Sequence, residues 1–315
     1  MENVYSALMQ ALQLTIVVAG APLLTGWVRT LKCWMQGRRT AGLLQPYRDL
    51  ARLFSKDIVL AENASWIFRF APYVVFGATL MAGAVIPLIS FDLPLGATAD
   101  IIALVALFAT ARFFLALAAM DTGTAFGGMG SSREMTVASL AEPAMLMSIF
   151  TVSLASQSTS LSQMAHVITS TPLVLRPSLA FALLAFILIA VAETGRVPVD
   201  NPATHLELTM IHEAMILEYS GRHLALIEWA GMMKLLLFSS IGIACFFPWG
   251  ISGHGDPLML PPAFVILAAK LALIGIFIVL VETGLAKMRL FRVPEFLGSA
   301  FLLATLGMLS FFILE

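Results

Sequence analysis

Eight continuous apolar stretches, each about twenty residues long, leave the chain few ways to fold. They run roughly over 7–28, 70–91, 100–120, 134–156, 173–193, 223–247, 263–286 and 294–314. Each is long enough to cross the hydrocarbon core of a bilayer as one helix. The runs do not alternate apolar with polar residues, which excludes a transmembrane β-barrel. The chain is 59% hydrophobic and 12% charged, whereas soluble domains carry about 25% charged residues. The expectation is an all-α integral membrane protein of about eight transmembrane helices. The fourth run is the weakest, since Glu134 and Glu142 lie in its first half and Pro143 invites a kink. The start, MENVYSALMQ, lacks the basic segment of a cleaved signal peptide, so the first run is read as retained. No repeat or low-complexity linker divides residues 1–315, and one polytopic membrane domain is the economical reading.

Basic residues set the orientation. Arg29, Lys32, Arg38, Arg39, Arg48, Arg52, Lys56 and Arg69 fall at or between the ends of runs one and two. Arg133 falls between three and four, Arg196 and Arg222 between five and six, and Lys287, Arg289 and Arg292 between seven and eight. These make fourteen of the 18 Lys and Arg on one side, while 92–99, 157–172 and 248–262 contain none. The positive-inside rule makes the basic side, with loops 29–69 and 194–222, cytoplasmic and puts both termini outside. A net charge of -1 points away from nucleic acid.

The cytoplasmic loops carry pattern of their own. In the first, Leu43, Tyr47, Leu50 and Phe54 recur at helical spacing opposite Arg48, Asp49, Arg52 and Lys56. That is an amphipathic helix suited to the membrane interface, and pattern alone favours a lipid-facing element without chemistry. Between runs five and six, ETGRVPVDNPATHLELTMIHEAMILEYSG holds Glu193, Asp200, Glu207, Glu213, Glu218, His205, His212 and Arg196. Asp200-Asn201-Pro202 has the form of a helix start, with a cap and then proline in the first turn. A helix from about Pro202 to Leu217 would align Leu206, Met210, Ala214 and Leu217 on one face, with His205, Thr209 and His212 on another. Such a concentration of ionisable groups between spans is a candidate site, and its plain alternative is a solvated loop.

Further charges interrupt the apolar runs: Arg112, Glu134, Glu142, Glu193, Glu228, Lys234, Lys270 and Glu282. A charge near the bilayer centre costs at least about 2.5 kcal/mol, so these residues pair to hold the bundle or line an ion route. Lys270 and Lys234 lie deepest, and Lys270 is too far inside its run for easy snorkelling. Resident redox chemistry has little to work with. The two cysteines, Cys33 and Cys245, are expected at opposite faces and are too few for an iron–sulfur cluster. No CxxCH, GxGxxG or HExxH motif occurs. Two function classes stand at this point: a membrane subunit coupling a partner's redox chemistry to proton movement, or a secondary ion transporter. A transporter would often carry paired, interrupted helices in two similar halves, and these are not found.

Three motifs resemble a known family. Glu193-Thr-Gly-Arg196-Val-Pro198-Val-Asp200 with Glu218-Tyr219-Ser220-Gly221 is similar to the fifth-loop pattern of the respiratory complex I subunit 1 family. Arg38-Arg39 followed by Gly42-Leu-Leu-Gln45-Pro-Tyr-Arg48-Asp49 resembles that family's first loop. Ser132-Arg133-Glu134 with Glu142-Pro143 matches its hydrogenase branch, and the stretch 197–221 resembles the hydrogenase-4 component C and formate hydrogenlyase subunit 4 group. The resemblance implies a membrane anchor and proton-coupling subunit of a group 4 [NiFe]-hydrogenase, in a bacterial or archaeal cytoplasmic membrane. Implied partners are the hydrogenase large and small subunits, iron–sulfur subunits and antiporter-like membrane subunits. The Ni–Fe centre and iron–sulfur clusters would lie in those partners, with no cofactor or metal in this chain and no catalytic residue. Glu142, Glu193, Asp200, Glu207, Glu218, Glu228, Lys234, Lys270 and Glu282 are the implied proton-coupling residues. Arg38, Arg39, Arg48, Asp49, Arg133 and Arg196 would dock the arm or orient carboxylates. The chain departs from the quinone-reactive members at Ala203 and His205, and has Thr40-Ala41 in place of their Gly-Pro. That change of polarity weighs against a quinone site; a respiratory quinone-site subunit is the alternative.

Overall fold

The computed structural model describes residues 2–91, 93–98, 100–170, 176–200, 210–252 and 260–314. Among them are eleven α-helices and no named strand: α1 (Glu2–Met35), α2 (Gln45–Phe54), α3 (Trp66–Val85), α4 (Ile101–Asp121), α5 (Ala125–Ser156), α6 (Leu161–Ser170), α7 (Pro177–Glu193), α8 (His212–Ile216), α9 (Gly221–Phe246), α10 (Leu260–Gly284) and α11 (Val293–Leu314). Seven of them, α1, α3, α4, α5, α9, α10 and α11, are long and apolar enough to cross a membrane. The fifth apolar run forms α7, a helix of 17 residues, about 25 Å long by the standard rise. The helices outrun the apolar windows: α1 continues to Met35 and α5 begins at Ala125, so Arg29, Lys32 and Arg133 are helical residues.

Helix α9 is the centre of the bundle. Most of its apolar stretch is buried, whereas α10 and α11 leave most of theirs facing outward. It packs on α1 and α3, and α7 lies on α11 and α5. Because lipid is as apolar as leucine, association here rests on close fit and on satisfied polar groups. Gln13 of α1 illustrates this. Its side-chain amide is buried and donates to the carbonyls of Gly83 (2.9 Å) and Ile86 (2.7 Å) at the open end of α3. Its amide oxygen accepts from the Leu88 N–H at 3.4 Å. At the other end of α3, Ser65 caps the helix by accepting from Ile67, and its own N–H donates to the Asp121 carboxylate at 2.7 Å. The α4–α5 turn needs glycine: a Cβ on Gly127 would stand 2.2 Å from the Ala119 carbonyl oxygen.

Contacts gather the loops at one end. Lys32 reaches Glu282, Ser220 bonds Val59 in both directions, and Asp121 reaches Ser65. This is the basic end of the bundle.

Two local expectations are corrected. Helix α2 forms where the amphipathic pattern lies, but its apolar face meets protein rather than lipid. Leu50 is buried in the core, the Tyr47 hydroxyl donates to the Ala19 carbonyl, and Phe54 meets Trp229 edge-on with centroids 6.0 Å apart. The helix expected over 202–217 is interrupted at Met210 and Ile211, which are not helical, and among its described residues 212–216 form α8. The Asp200 carboxylate accepts the N–H groups of Ile211 (3.3 Å) and His212 (3.2 Å). Residues 201–209, including His205, Glu207 and Thr209, lie outside the described residues. An amphipathic helix not foreseen, α6, packs against α9 at the opposite end through Leu161 and Met164.

Candidate functional site

Arg112 sits on α4 with its side chain 5% exposed, where an unpaired charge would be prohibitive. Three carboxylates from two other helices surround it. Its Nε lies 3.4 Å from Glu134 and its Nη1 donates to Glu142 at 2.9 Å, both on α5. Its Nη2 donates to Glu193 at the end of α7. Glu193, 2% exposed, also faces the Lys234 ammonium of α9 at 3.0 Å. Helices α4, α5, α7 and α9 thus bring two cations and three carboxylates together. With all five ionised the group carries one negative charge in excess. Glu142 and Glu193 accept hydrogen bonds from the guanidinium, while Glu134 balances its charge at Nε without one.

Two smaller groups lie nearer the basic end. Glu282 of α10, 2% exposed, accepts from Lys32 of α1 and from Arg196 just beyond α7, each at 2.7 Å. Asp200 lies 3.7 Å from the Lys287 ammonium in addition to its backbone bonds. A cavity of about 560 Å³ joins these groups. Its walls include Glu134, Glu193 and Lys234 at one side, Lys32, Arg196 and Glu282 at another, and Asp200 and His212 toward the loop. Glu228 lines it as well, and Arg38 lies at its exposed margin. A chain of ionisable groups along a cavity roomy enough for water can hand protons from one carboxylate to the next.

The expected site residues separate accordingly. Glu142, Glu193 and Lys234 meet around Arg112; Arg196 and Glu282 pair with each other; Asp200 and Glu228 line the same cavity. Glu218 is exposed at the surface, away from the cavity walls. Lys270 lies apart, donating to the carbonyls of Phe247 (2.5 Å) and Trp249 at the end of α9. Glu207 lies outside the described residues. Of the residues expected to dock an arm or orient carboxylates, Arg133 donates to the Met210 carbonyl at 2.9 Å and so fixes the stretch of chain entering α8. Asp49 lies 3.8 Å from Arg29 and 3.9 Å from Arg52, and Arg39 and Arg48 are exposed.

Sequence reasoning misses Lys32 and Lys287 as site residues and leaves Arg112 and Glu134 as unassigned charges. In the sequence Lys32 and Lys287 count only as topology signals. Nothing there announces an ion pair spanning 250 positions. Arg112 has a signal, since a lone arginine inside an apolar run needs a carboxylate and only a few are on offer.

Known proteins share this sequence pattern and this fold. The sequence profile of the NADH dehydrogenase family matches residues 8–313. Formate hydrogenlyase subunit 4 of Escherichia coli (strain K12) is 32% identical over 305 residues, 97% of this chain and 98% of that protein. Hydrogenase-4 component C of the same organism is 31% identical, covering 96% of this chain and 95% of its own. An NADH-quinone oxidoreductase subunit of Syntrophotalea carbinolica is 27% identical over 79% of this chain and 75% of that protein. The solved membrane-bound sulfane sulfur reductase, an archaeal respiratory membrane complex, contains a chain of the same fold. It superposes with a TM-score of 0.85 at 19% identity, over 96% of this chain and 98% of that one. The chain is therefore a complex I-like membrane subunit and belongs to the NADH dehydrogenase family, which it shares with formate hydrogenlyase subunit 4 and hydrogenase-4 component C.

Proposed function

We propose that this chain anchors the redox arm of a group 4 [NiFe]-hydrogenase in the cytoplasmic membrane of a bacterium or archaeon and couples the arm's chemistry to ion movement. Its partners on this reading are the hydrogenase large and small subunits, iron–sulfur subunits and antiporter-like membrane subunits. The Ni–Fe centre and clusters belong to those partners. Among the described residues no three His, Cys, Asp or Glu are grouped to hold a metal ion, and the two free cysteines lie on α1 and α9. The arm docks on the basic end, which is cytoplasmic, and both termini face outward.

The observation that carries the reading is the five-charge group around the buried Arg112 and Glu193, joined by the polar cavity to Glu282 and Asp200. Its odd carboxylate makes it responsive to charge. A unit charge appearing about 10 Å away changes a carboxyl's energy by about 1.7 kcal/mol at an effective dielectric constant near 20. That is slightly more than one pKa unit, enough to move a proton between neighbouring carboxylates. Redox events in an arm above the cavity supply such a change.

The test is isolation of the tagged chain from its native membranes, assayed for nickel, iron and hydrogen turnover, with and without added quinone. Co-purifying nickel and quinone-independent hydrogen turnover are expected. Nickel-free, quinone-dependent activity overturns the hydrogenase assignment in favour of a respiratory one, and a lone chain with neither restores the transporter.

A further inference from the structure

A second cavity, about 490 Å³, runs between α7, α9 and α10 and shares only Thr194, Arg196, Leu235 and Glu282 with the polar one. Its floor is made of Phe186, Phe238 and Ile243, all buried, and its outer lip by Leu273 and Phe277 of α10, which are exposed. The hydroxyls in its wall are turned away: Ser239 donates back to Leu235 and Thr194 to Ala190. At one end Arg196 pairs with Glu282, which Lys32 shares. Lys270 stands at the other end and has no ion pair among the described residues. Two of its three N–H groups are used by the carbonyls of Phe247 and Trp249, which leaves one donor and a full positive charge. Phe247 and Trp249 are themselves partly exposed, as aromatic side chains are where a membrane meets water. Lys270 and Glu282 are twelve residues apart on one helix, about 18 Å.

We propose that this groove holds one acyl chain of an anionic phospholipid, with the headgroup phosphate on Lys270 and the chain running along α10 toward Thr194. The apolar floor suits a hydrocarbon chain, and the Lys270 ammonium, with no ion pair among the described residues, suits a phosphate. The lateral opening between α7 and α10 admits it from the bilayer. Its tail ends against Leu235 and Thr194, which also wall the polar cavity, so the bound lipid separates that cavity from the surrounding hydrocarbon.

The intact complex, purified in mild detergent, is examined by native mass spectrometry with quantitative lipid extraction. Wild type is compared with Lys270→Met, which removes the charge, and Leu273→Trp, which fills the groove from its exposed lip. Retention of phosphatidylglycerol or cardiolipin is expected to fall at least about tenfold in Lys270→Met, the scale of one lost charge-assisted hydrogen bond. Leu273→Trp should lower it as well, with phosphatidylethanolamine unchanged in both. A photo-crosslinker at position 273 should capture lipid. Equal anionic lipid in all three proteins overturns the proposal. So does a quinone displaced by Leu273→Trp, or a crosslink from position 273 to a protein chain.

Discussion

Around Arg112 stand two cations and three carboxylates, so the outcome of a substitution depends on which side of that balance it touches. Glu193→Gln leaves Arg112 and Lys234 against Glu134 and Glu142, a neutral set that keeps its hydrogen-bonding shape. The complex should assemble while ion movement per hydrogen turned over falls severalfold, measured in inverted vesicles with a pH-sensitive dye. Loss of assembly would instead mark Glu193 as purely structural. Arg112→Met is expected to be far worse. It leaves the buried Glu193 and the partly buried Glu134 and Glu142 with Lys234 alone, and stranding a buried charge in this way costs about 3–5 kcal/mol. The complex should then fail to accumulate in the membrane, read by immunoblot of the tagged chain. Arg112 and Lys234 are visible in the sequence as charges needing partners. Which carboxylates they take depends on how α4, α5, α7 and α9 rotate against one another.

Single helices are the most legible elements, because a run of apolar residues in lipid has no way but a helix to satisfy its backbone. Their ends are less so. α3 is terminated by a glutamine on another helix, and Gln13→Leu would strand the carbonyls of Gly83 and Ile86 in an apolar setting. Each lost bond costs about 1–3 kcal/mol, and the thermal midpoint of the purified complex should drop by several degrees. The described part of the loop after α7 is likewise held by distant partners. Asp200 has the local signature of a cap, and its carboxylate also accepts the N–H groups of Ile211 and His212. Tyr219 then ties the loop to α3, stacking on Phe68 at 4.0 Å between centroids and donating to its carbonyl at 3.0 Å. Burial, and next the Asp121 carboxylate, push its phenol above the ordinary range. A raised acid contributes its stability below its unfolded value and loses it as pH rises through the folded one. Tyr219→Phe should therefore lower stability by about 1 kcal/mol at every pH below about 10, with the difference from wild type vanishing only in stronger alkali.

In the whole bundle, α9 is wrapped while α10 stands at the edge, and the two cavities lie on either side of the contact between them. Glu282 is the junction. It binds Lys32 from the first helix and Arg196 from the loop after α7, so three distant parts of the chain meet at one carboxylate. Glu282→Gln would leave two facing cations and loosen the packing of α1 on α10. A loss of about 3–5 kcal/mol is expected, seen as earlier unfolding of the membrane part in a detergent titration. Disruption of the anionic lipid site should be independent of this, since Lys270 lies about 18 Å away.

Sequence alone determined that the chain is helical and membrane-embedded, since apolar run length and bilayer thickness admit no other solution. It also determined the family, through motifs at 38–49, 132–143 and 193–221. It identified most of the buried charges, because in so apolar a chain each is conspicuous. Only the tertiary structure decided which charges belong together. Glu193 and Lys234 share a cluster, Glu282 forms another, Glu218 is at the surface and Lys270 faces a groove of its own. The reason is that a helix sets the spacing of its side chains but not its rotation or depth against its neighbours. Those follow from packing and polar satisfaction summed over the whole bundle.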